Sequence, residues 1–284
     1  MYFGSVKFFK NLILVFVILA IGIASAFAIY YHHQFVALSP SGDGTSVNHQ
    51  VYPAVDTEAI DYQTLYPDFY APQPYHATKR LSGDIYLTFD GTLSSYTSDI
   101  LAILKEKKVK ATFFLSGPLE NLDAEMLNAI VADGHTIGMG SCSGDFQSLY
   151  SSVASYLTDL YQLSTYIKET TGITPSVFRF PGGSVNSYNA TLYQELIAEM
   201  IRRGFVPYDW NIDLADMNDS YSTQTVLDIT MARLSTMDRA ILLLRSDASA
   251  VELLSPLIDN LSGQHFTCAP LKNDVKPVLF AYPQ

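Results

Sequence analysis

Tyr86-Leu-Thr-Phe-Asp-Gly-Thr-Leu-Ser-Ser-Tyr-Thr-Ser-Asp-Ile-Leu101, continued through Lys110-Ala-Thr-Phe-Phe-Leu-Ser-Gly117, decides how the rest of the chain is read. Ile85, Leu87 and Phe89 alternate with Tyr86, Thr88 and Asp90, the period-two pattern of a strand, which stops at Asp90-Gly91. From Thr97 to Lys108, Ile100, Leu101, Ile103 and Leu104 fall at helical spacing, so an amphipathic helix follows. Lys110 to Leu115 is a second strand, and the three elements make a parallel strand–helix–strand unit. Asp90 then stands at the carboxyl end of the first strand, the rim where α/β folds and barrels place their chemistry. Taken alone, an aspartate there reads first as a capping or turn residue. The rest of the chain changes its meaning.

After Thr78 the same alternation continues to the end. Helices are expected over Asp123 to Ala132, Val153 to Ile167, Leu192 to Ile201, Thr223 to Leu234 and Val251 to Leu261. Strands are expected at His135 to Gly138, Val177 to Phe180, Phe205 to Asn211, Ala240 to Leu244 and His265 to Ala269. Repeated βα units over residues 78–284 predict one α/β domain, a (β/α) barrel-like fold.

Residues 12–31 carry no charge for about the length that crosses a bilayer, behind Lys7 and Lys10. The expectation is a cytoplasmic tail (1–11), a single transmembrane signal anchor (12–31) and an extracytoplasmic remainder. A cleaved signal peptide ending at Ala24-Ser-Ala26 or Ala26-Phe-Ala28 is the competing reading. Residues 32–77 hold Pro53, Pro67, Pro72 and Pro74 with five tyrosines between Tyr52 and Tyr75, and read as linker whose tyrosines pack on the domain or touch a carbohydrate.

A net charge of −11 over 284 residues argues against a nucleic-acid partner, since no basic footprint exists for a phosphate backbone. Two cysteines, Cys142 and Cys268, are too few for a thiolate zinc site or a disulfide scaffold, though one bridge is open.

Five strings occur in one order: Leu87-Thr-Phe-Asp90, Val109-Lys-Ala-Thr-Phe-Phe114, Gly134-His-Thr-Ile-Gly138, Phe178-Arg-Phe-Pro-Gly-Gly-Ser184 and Tyr208-Asp-Trp-Asn211. Together, from about Thr78 to the end, they resemble the polysaccharide deacetylase family (the NodB-homology domain), especially its membrane-anchored, peptidoglycan-deacetylase-like members in Gram-positive bacteria. The resemblance implies a distorted (β/α) barrel that removes acetyl groups from N-acetylated sugars with a divalent metal such as zinc. In such a site one carboxylate and two imidazoles hold the ion. A second carboxylate takes the proton from water, and a late histidine returns one to the amine.

Set on that pattern, Asp90 matches the base, but Gly91 stands where the ligand aspartate is expected. Gly140 and Gly144 stand at the two ligand histidines, and Arg245 at the catalytic histidine. Glycine has no donor atom, and arginine stays protonated near neutral pH. Arg179 matches the residue that steadies the base, and Asp216 the carboxylate that tunes the late histidine; an Arg245–Asp216 or Arg245–Asp90 ion pair is expected. Pro181, Gly182, Gly183, Tyr208 and Trp210 match the walls of the sugar groove. No cofactor is expected to bind. A displaced metal site would have to draw on His135, Ser141, Cys142, Ser143, Asp145 and Asp84, which make a poor ligand set. Asp90 with Asp213 or Asp216 as a glycosidase pair ranks low.

Three functions follow. The first is a non-catalytic protein of the cell envelope that binds an acetylated glycan or acts as a scaffold. The second is an active hydrolase on the N-acetyl groups of such glycans. The third is an interaction module whose partner is an envelope enzyme.

Overall fold

The structure is a computed structural model and describes residues 61–76, 84–237 and 239–280. The expected tail and membrane anchor (1–11 and 12–31) and most of the linker lie outside the described residues. Among the described residues eight strands form one sheet: β1 (Asp84–Gly91), β2 (Thr112–Ser116), β3 (Thr136–Ser141), β4 (Val177–Phe178), β5 (Val206–Pro207), β6 (Ile212–Asp213), β7 (Arg239–Arg245) and β8 (Thr267–Cys268). They run in the order β5-β4-β3-β2-β1-β7-β6, with β8 beside the start of β1, and every pairing is parallel. The helices are α1 (Ser95–Glu106), α2 (Ala124–Ala132), α3 (Phe146–Leu149), α4 (Val153–Thr171), α5 (Tyr193–Arg202), α6 (Leu214–Ser220), α7 (Thr223–Leu234) and α8 (Ala248–Gly263). The curled parallel sheet with helices packed against it is an α/β half-barrel, the open form of the (β/α) barrel-like fold expected from the repeated βα pattern.

Strand alternation sorts the side chains into two layers. Ile85, Leu87, Phe89, Phe113, Leu115, Ile137, Met139, Leu242 and Leu244 join the helices in the larger core. Tyr86, Phe114, Val177, Val206, Tyr208, Ile241 and Leu271 fill the concave side. Asp90 keeps phase with Tyr86 and Thr88, so the same alternation that buries Phe89 outward turns Asp90 inward. Several helices start on side-chain caps: Asp123 accepts from the Met126 N–H, Ser152 from the Ser155 N–H and Asp247 from the Ala250 N–H. α4 ends where Gly172 takes φ +75°, a left-handed conformation suited to glycine.

Two expectations are corrected. Phe205 to Asn211 is not one strand, because Pro207 has no N–H to continue a ladder and the chain crosses from one sheet edge to the other. Asn211 completes the crossing: its N–H donates to the Ile241 carbonyl at 2.9 Å, and its Oδ1 accepts from the Ile241 N–H at 2.9 Å. Helix α6, unforeseen in sequence, begins there because Asp213 accepts from the Asp216 N–H at 2.9 Å.

The segment from Asp61 to His76, read as linker, packs on the domain. Its anchor is Arg203, 1% exposed. The Arg203 guanidinium donates to Glu199 Oε1 at 2.7 Å and to the carbonyls of Tyr62, Leu65, Tyr66 and Phe69 at 2.8–3.3 Å. Those bonds employ all five N–H donors of an arginine. Tyr66 stacks on Tyr161 with ring centroids 4.2 Å apart, and Phe69 is 3% exposed in the core. Tyr62 and Tyr66 therefore serve packing, whereas Tyr70 and Tyr75 stay exposed.

Candidate functional site

The carboxyl ends of β1, β3, β4 and β7 converge with the Tyr208–Asn211 crossing. Arg179, just past β4 and 2% exposed, is the hub. It donates to Asp90 Oδ1 at 2.6 Å, Thr88 Oγ1 at 2.9 Å, the Tyr208 carbonyl at 2.8 Å and the Asp209 carbonyl at 3.3 Å. Its guanidinium carbon lies 4.2 Å from the Phe114 ring centroid and 5.4 Å from that of Trp210. Burial raises the Asp90 carboxyl above its usual range, while Arg179 draws it back. The expected Arg179–Asp90 pairing is present.

Arg245 sits opposite Asp90 in the β1–β7 register, yet its charge is drawn outward. It pairs with Asp219 at 2.5 Å and Asp247 at 3.4 Å, while Asp216 lies at 3.8 Å. Of the two expected partners, Asp216 is the outer and looser contact, and Asp90 is already occupied by Arg179. The sequence reading missed Asp219 because its approach depends on α6, which places residues 216 and 219 on one face three residues apart. Asp216 itself is 80% exposed.

The groove residues divide. Gly182 is exposed and Trp210 half-buried, whereas Tyr208 is 0% exposed and its hydroxyl donates to the Lys272 and Val275 carbonyls inside the barrel. Tyr208 is therefore no groove contact; just past β5 and in phase with Val206, it turns inward and is buried. Pro181 is half-buried, and its carbonyl accepts from the Tyr150 hydroxyl at 2.8 Å. Gly183, at φ +88°, lies beneath the Phe280 ring, which also meets Trp210 edge-on with centroids 4.9 Å apart.

Two residues of this wall were not singled out in sequence. Buried Asp209 accepts from the Ser184 N–H (2.8 Å) and hydroxyl (2.5 Å) and from the Phe280 N–H (2.6 Å), tying the glycine turn to the C-terminal segment. Burial raises its carboxyl as well. Its place inside Tyr208-Asp-Trp-Asn211 was a usable signal. Phe280 carried none, because it lies 70 residues from Trp210 in sequence.

The residues present do not fit the metal that the resemblance implies. Gly91, Gly140 and Gly144 offer no donor atom, and among the described residues no three His, Cys, Asp or Glu side chains are placed to hold an ion. The alternative ligands are dispersed. His135 Nδ1 accepts from the Ala111 N–H at 3.1 Å at the far end of β3, and Asp145 caps α3. Cys142 Sγ lies 3.6 Å from the Asp159 carbonyl, and burial pushes its thiol up to about 12. Cys142 and Cys268 are both free thiols.

Comparisons with known proteins agree with this architecture. A polysaccharide deacetylase family model matches residues 78–201. YheN of Bacillus subtilis, whose name places it among polysaccharide deacetylases, is 30% identical over 207 residues, covering 71% of this chain and 72% of that protein. A peptidoglycan-N-acetylglucosamine deacetylase of Bacillus cereus is 28% identical over 200 residues, 70% of this chain and 68% of its own length. Among solved structures, the catalytic domain of a peptidoglycan N-acetylglucosamine deacetylase from Eubacterium rectale superposes with a TM-score of 0.68 at 27% identity, covering 73% of this chain and 97% of that domain. The chain therefore belongs to the polysaccharide deacetylase family.

Proposed function

We propose that this protein is a non-catalytic member of the family that binds an acetylated cell-wall glycan, or acts as a scaffold, at the cell envelope. On this reading residues 12–31 anchor it in the membrane with the domain outside. The observation that carries it is the chemistry of four positions. Gly91, Gly140 and Gly144 supply no ligand, and Arg245, held by Asp219, supplies no proton near neutral pH. The hydrolysis of an amide needs water to be activated and the carbonyl to be polarised; Asp90 is a base for the first, but Gly91, Gly140 and Gly144 offer no donor to hold an ion for the second.

What supports glycan binding is the wall that persists. Trp210 and Phe280 flank the exposed Gly182 turn, and Tyr188, 52% exposed, meets Phe146 edge-on at 5.6 Å beside it. Aromatic faces beside the buried Arg179 and half-buried Asp90 put apolar area and a few fixed polar groups on one wall, the make-up of a ligand site. The competing reading, a working deacetylase, draws on that same Arg179–Asp90 pair. The test is the purified chain with acetylated and deacetylated peptidoglycan fragments, with and without zinc. Retention of the acetylated fragment without acetate release supports the proposal, and zinc-dependent acetate release refutes it. Retention of an envelope enzyme without glycan affinity shifts the assignment to an interaction module.

A further inference from the structure

The three glycines are not three equal vacancies. A Cβ built at Gly144 meets nothing within 4 Å, and one at Gly91 also meets nothing, although φ of +129° strains any side chain there. At Gly140 a Cβ would lie 2.2 Å from Ser116 Oγ and 2.6 Å from the Leu115 carbonyl oxygen. The cause is in the sheet. β2 and β3 pair Leu115 with Met139 and then Ser116 with Ser141, so the register slips by one residue and Gly140 has no partner. Gly140 is the extra residue of a bulge, which bends the strand and turns its side-chain direction into the neighbouring strand. The slip is fixed from both ends: the Gly117 N–H donates to the Ser141 carbonyl at 2.8 Å, and Met139 and Ser141 are 0% and 1% exposed. A serine hydroxyl can rotate away from an added carbon, but a main-chain carbonyl cannot move without opening the β2–β3 pairing.

We infer that the family's metal centre is closed in this chain and not merely emptied, and that the Gly140 bulge closes it. Returning an aspartate at 91 and histidines at 140 and 144 will not rebuild the site. This stands on the position of Gly140 in the family pattern and is independent of glycan binding, so either can fail alone.

The experiment uses the full chain in mild detergent. Gly140→Ala and Gly144→Ala each add only the Cβ, and their melting temperatures are compared with the parent. Gly140→Ala is expected to melt at least about 5 °C lower, while Gly144→Ala stays within about 2 °C. The pair Ser116→Gly/Gly140→Ala removes the hydroxyl but keeps the Leu115 carbonyl, and is expected to remain low. Zinc calorimetry then compares Gly91→Asp/Gly144→His with the same variant carrying Gly140→His. Affinities within about threefold of one another are expected, because the third residue cannot take its place. Unchanged melting of Gly140→Ala, full recovery by Ser116→Gly, or one-to-one zinc binding at least about 100-fold tighter in the triple variant overturns the inference. If the triple variant does not fold, the alanine pair still decides it.

Discussion

His135 should make the domain acid-sensitive well above the range where carboxylates titrate. Its ring is 7% exposed, Nδ1 accepts the Ala111 N–H at 3.1 Å, and Nε2 has no partner. The ring must therefore be neutral with its proton on Nε2. Burial, and secondarily Lys110, lower its pKa from 6.5 to about 4, against a small opposing effect of Asp133. A depressed histidine contributes stability that is fully present above 6.5 and is lost as the pH falls through 6.5 toward 4. Between pH 7.5 and pH 5 that loss is about 2 kcal/mol, and its limit is about 3 kcal/mol. Urea unfolding at the two pH values measures it. His135→Gln is the control, because an amide oxygen can still accept the Ala111 N–H but cannot titrate. Raised carboxyls such as Asp90 and Asp209 push the other way as they protonate, so the informative quantity is the difference between parent and variant. The parent should lose about 2 kcal/mol more than His135→Gln over the interval. Equal losses would refute the argument and place the acid sensitivity elsewhere.

Other outcomes follow from the same structure. Arg203→Met leaves Glu199 one buried partner short and four carbonyls without their donor, and should cost about 3–5 kcal/mol in urea unfolding; a cost below about 1 kcal/mol would mean that the 61–76 segment is not held as described. Asp219→Asn breaks a pair whose side chains are 43% and 63% exposed, and should change stability by no more than about 0.5 kcal/mol. Cys142, with its thiol pushed up to about 12, should react with a thiol reagent at pH 8 only after unfolding in guanidinium, and rapid stoichiometric labelling of the native chain would contradict that.

The fold was readable because its signals are local. Alternation at 85–90 and helical spacing at 100–104 each span only a few residues, and such patterns recur often enough to indicate a parallel α/β domain, though not its strand order. The features that sequence could not show depend on distant residues meeting. Asp219 reaches Arg245 across 26 positions, Phe280 lies on Gly183 across 97, and Arg203 collects carbonyls more than 130 residues earlier. Tyr208 failed as a groove residue for a different reason: its motif gave its identity correctly, but only the course of the chain just past β5, which keeps Tyr208 in phase with Val206, decides that it faces the interior.

The persistence of the Asp90–Arg179 pair beside three glycines has a physical explanation that needs no chemistry. Arg179 ties Thr88 on β1 to the Tyr208 and Asp209 carbonyls on the crossing strand, so it clamps the two sides of the barrel mouth. Without Asp90 the guanidinium would remain 2% exposed with its nearest counter-charge gone. Removing Asp90, itself 30% exposed, leaves that buried charge unpaired and costs about 3 kcal/mol, more than surface substitutions usually do. Gly144, by contrast, has open space around it, so a side chain there can be gained or lost at little cost to the fold. Asp90 and Gly144 thus answer to different constraints. Asp90→Ala should separate them: a loss of several kcal/mol in urea unfolding would mark the pair as structural, whereas a loss below about 1 kcal/mol would leave binding or catalysis as the reason Asp90 is held there.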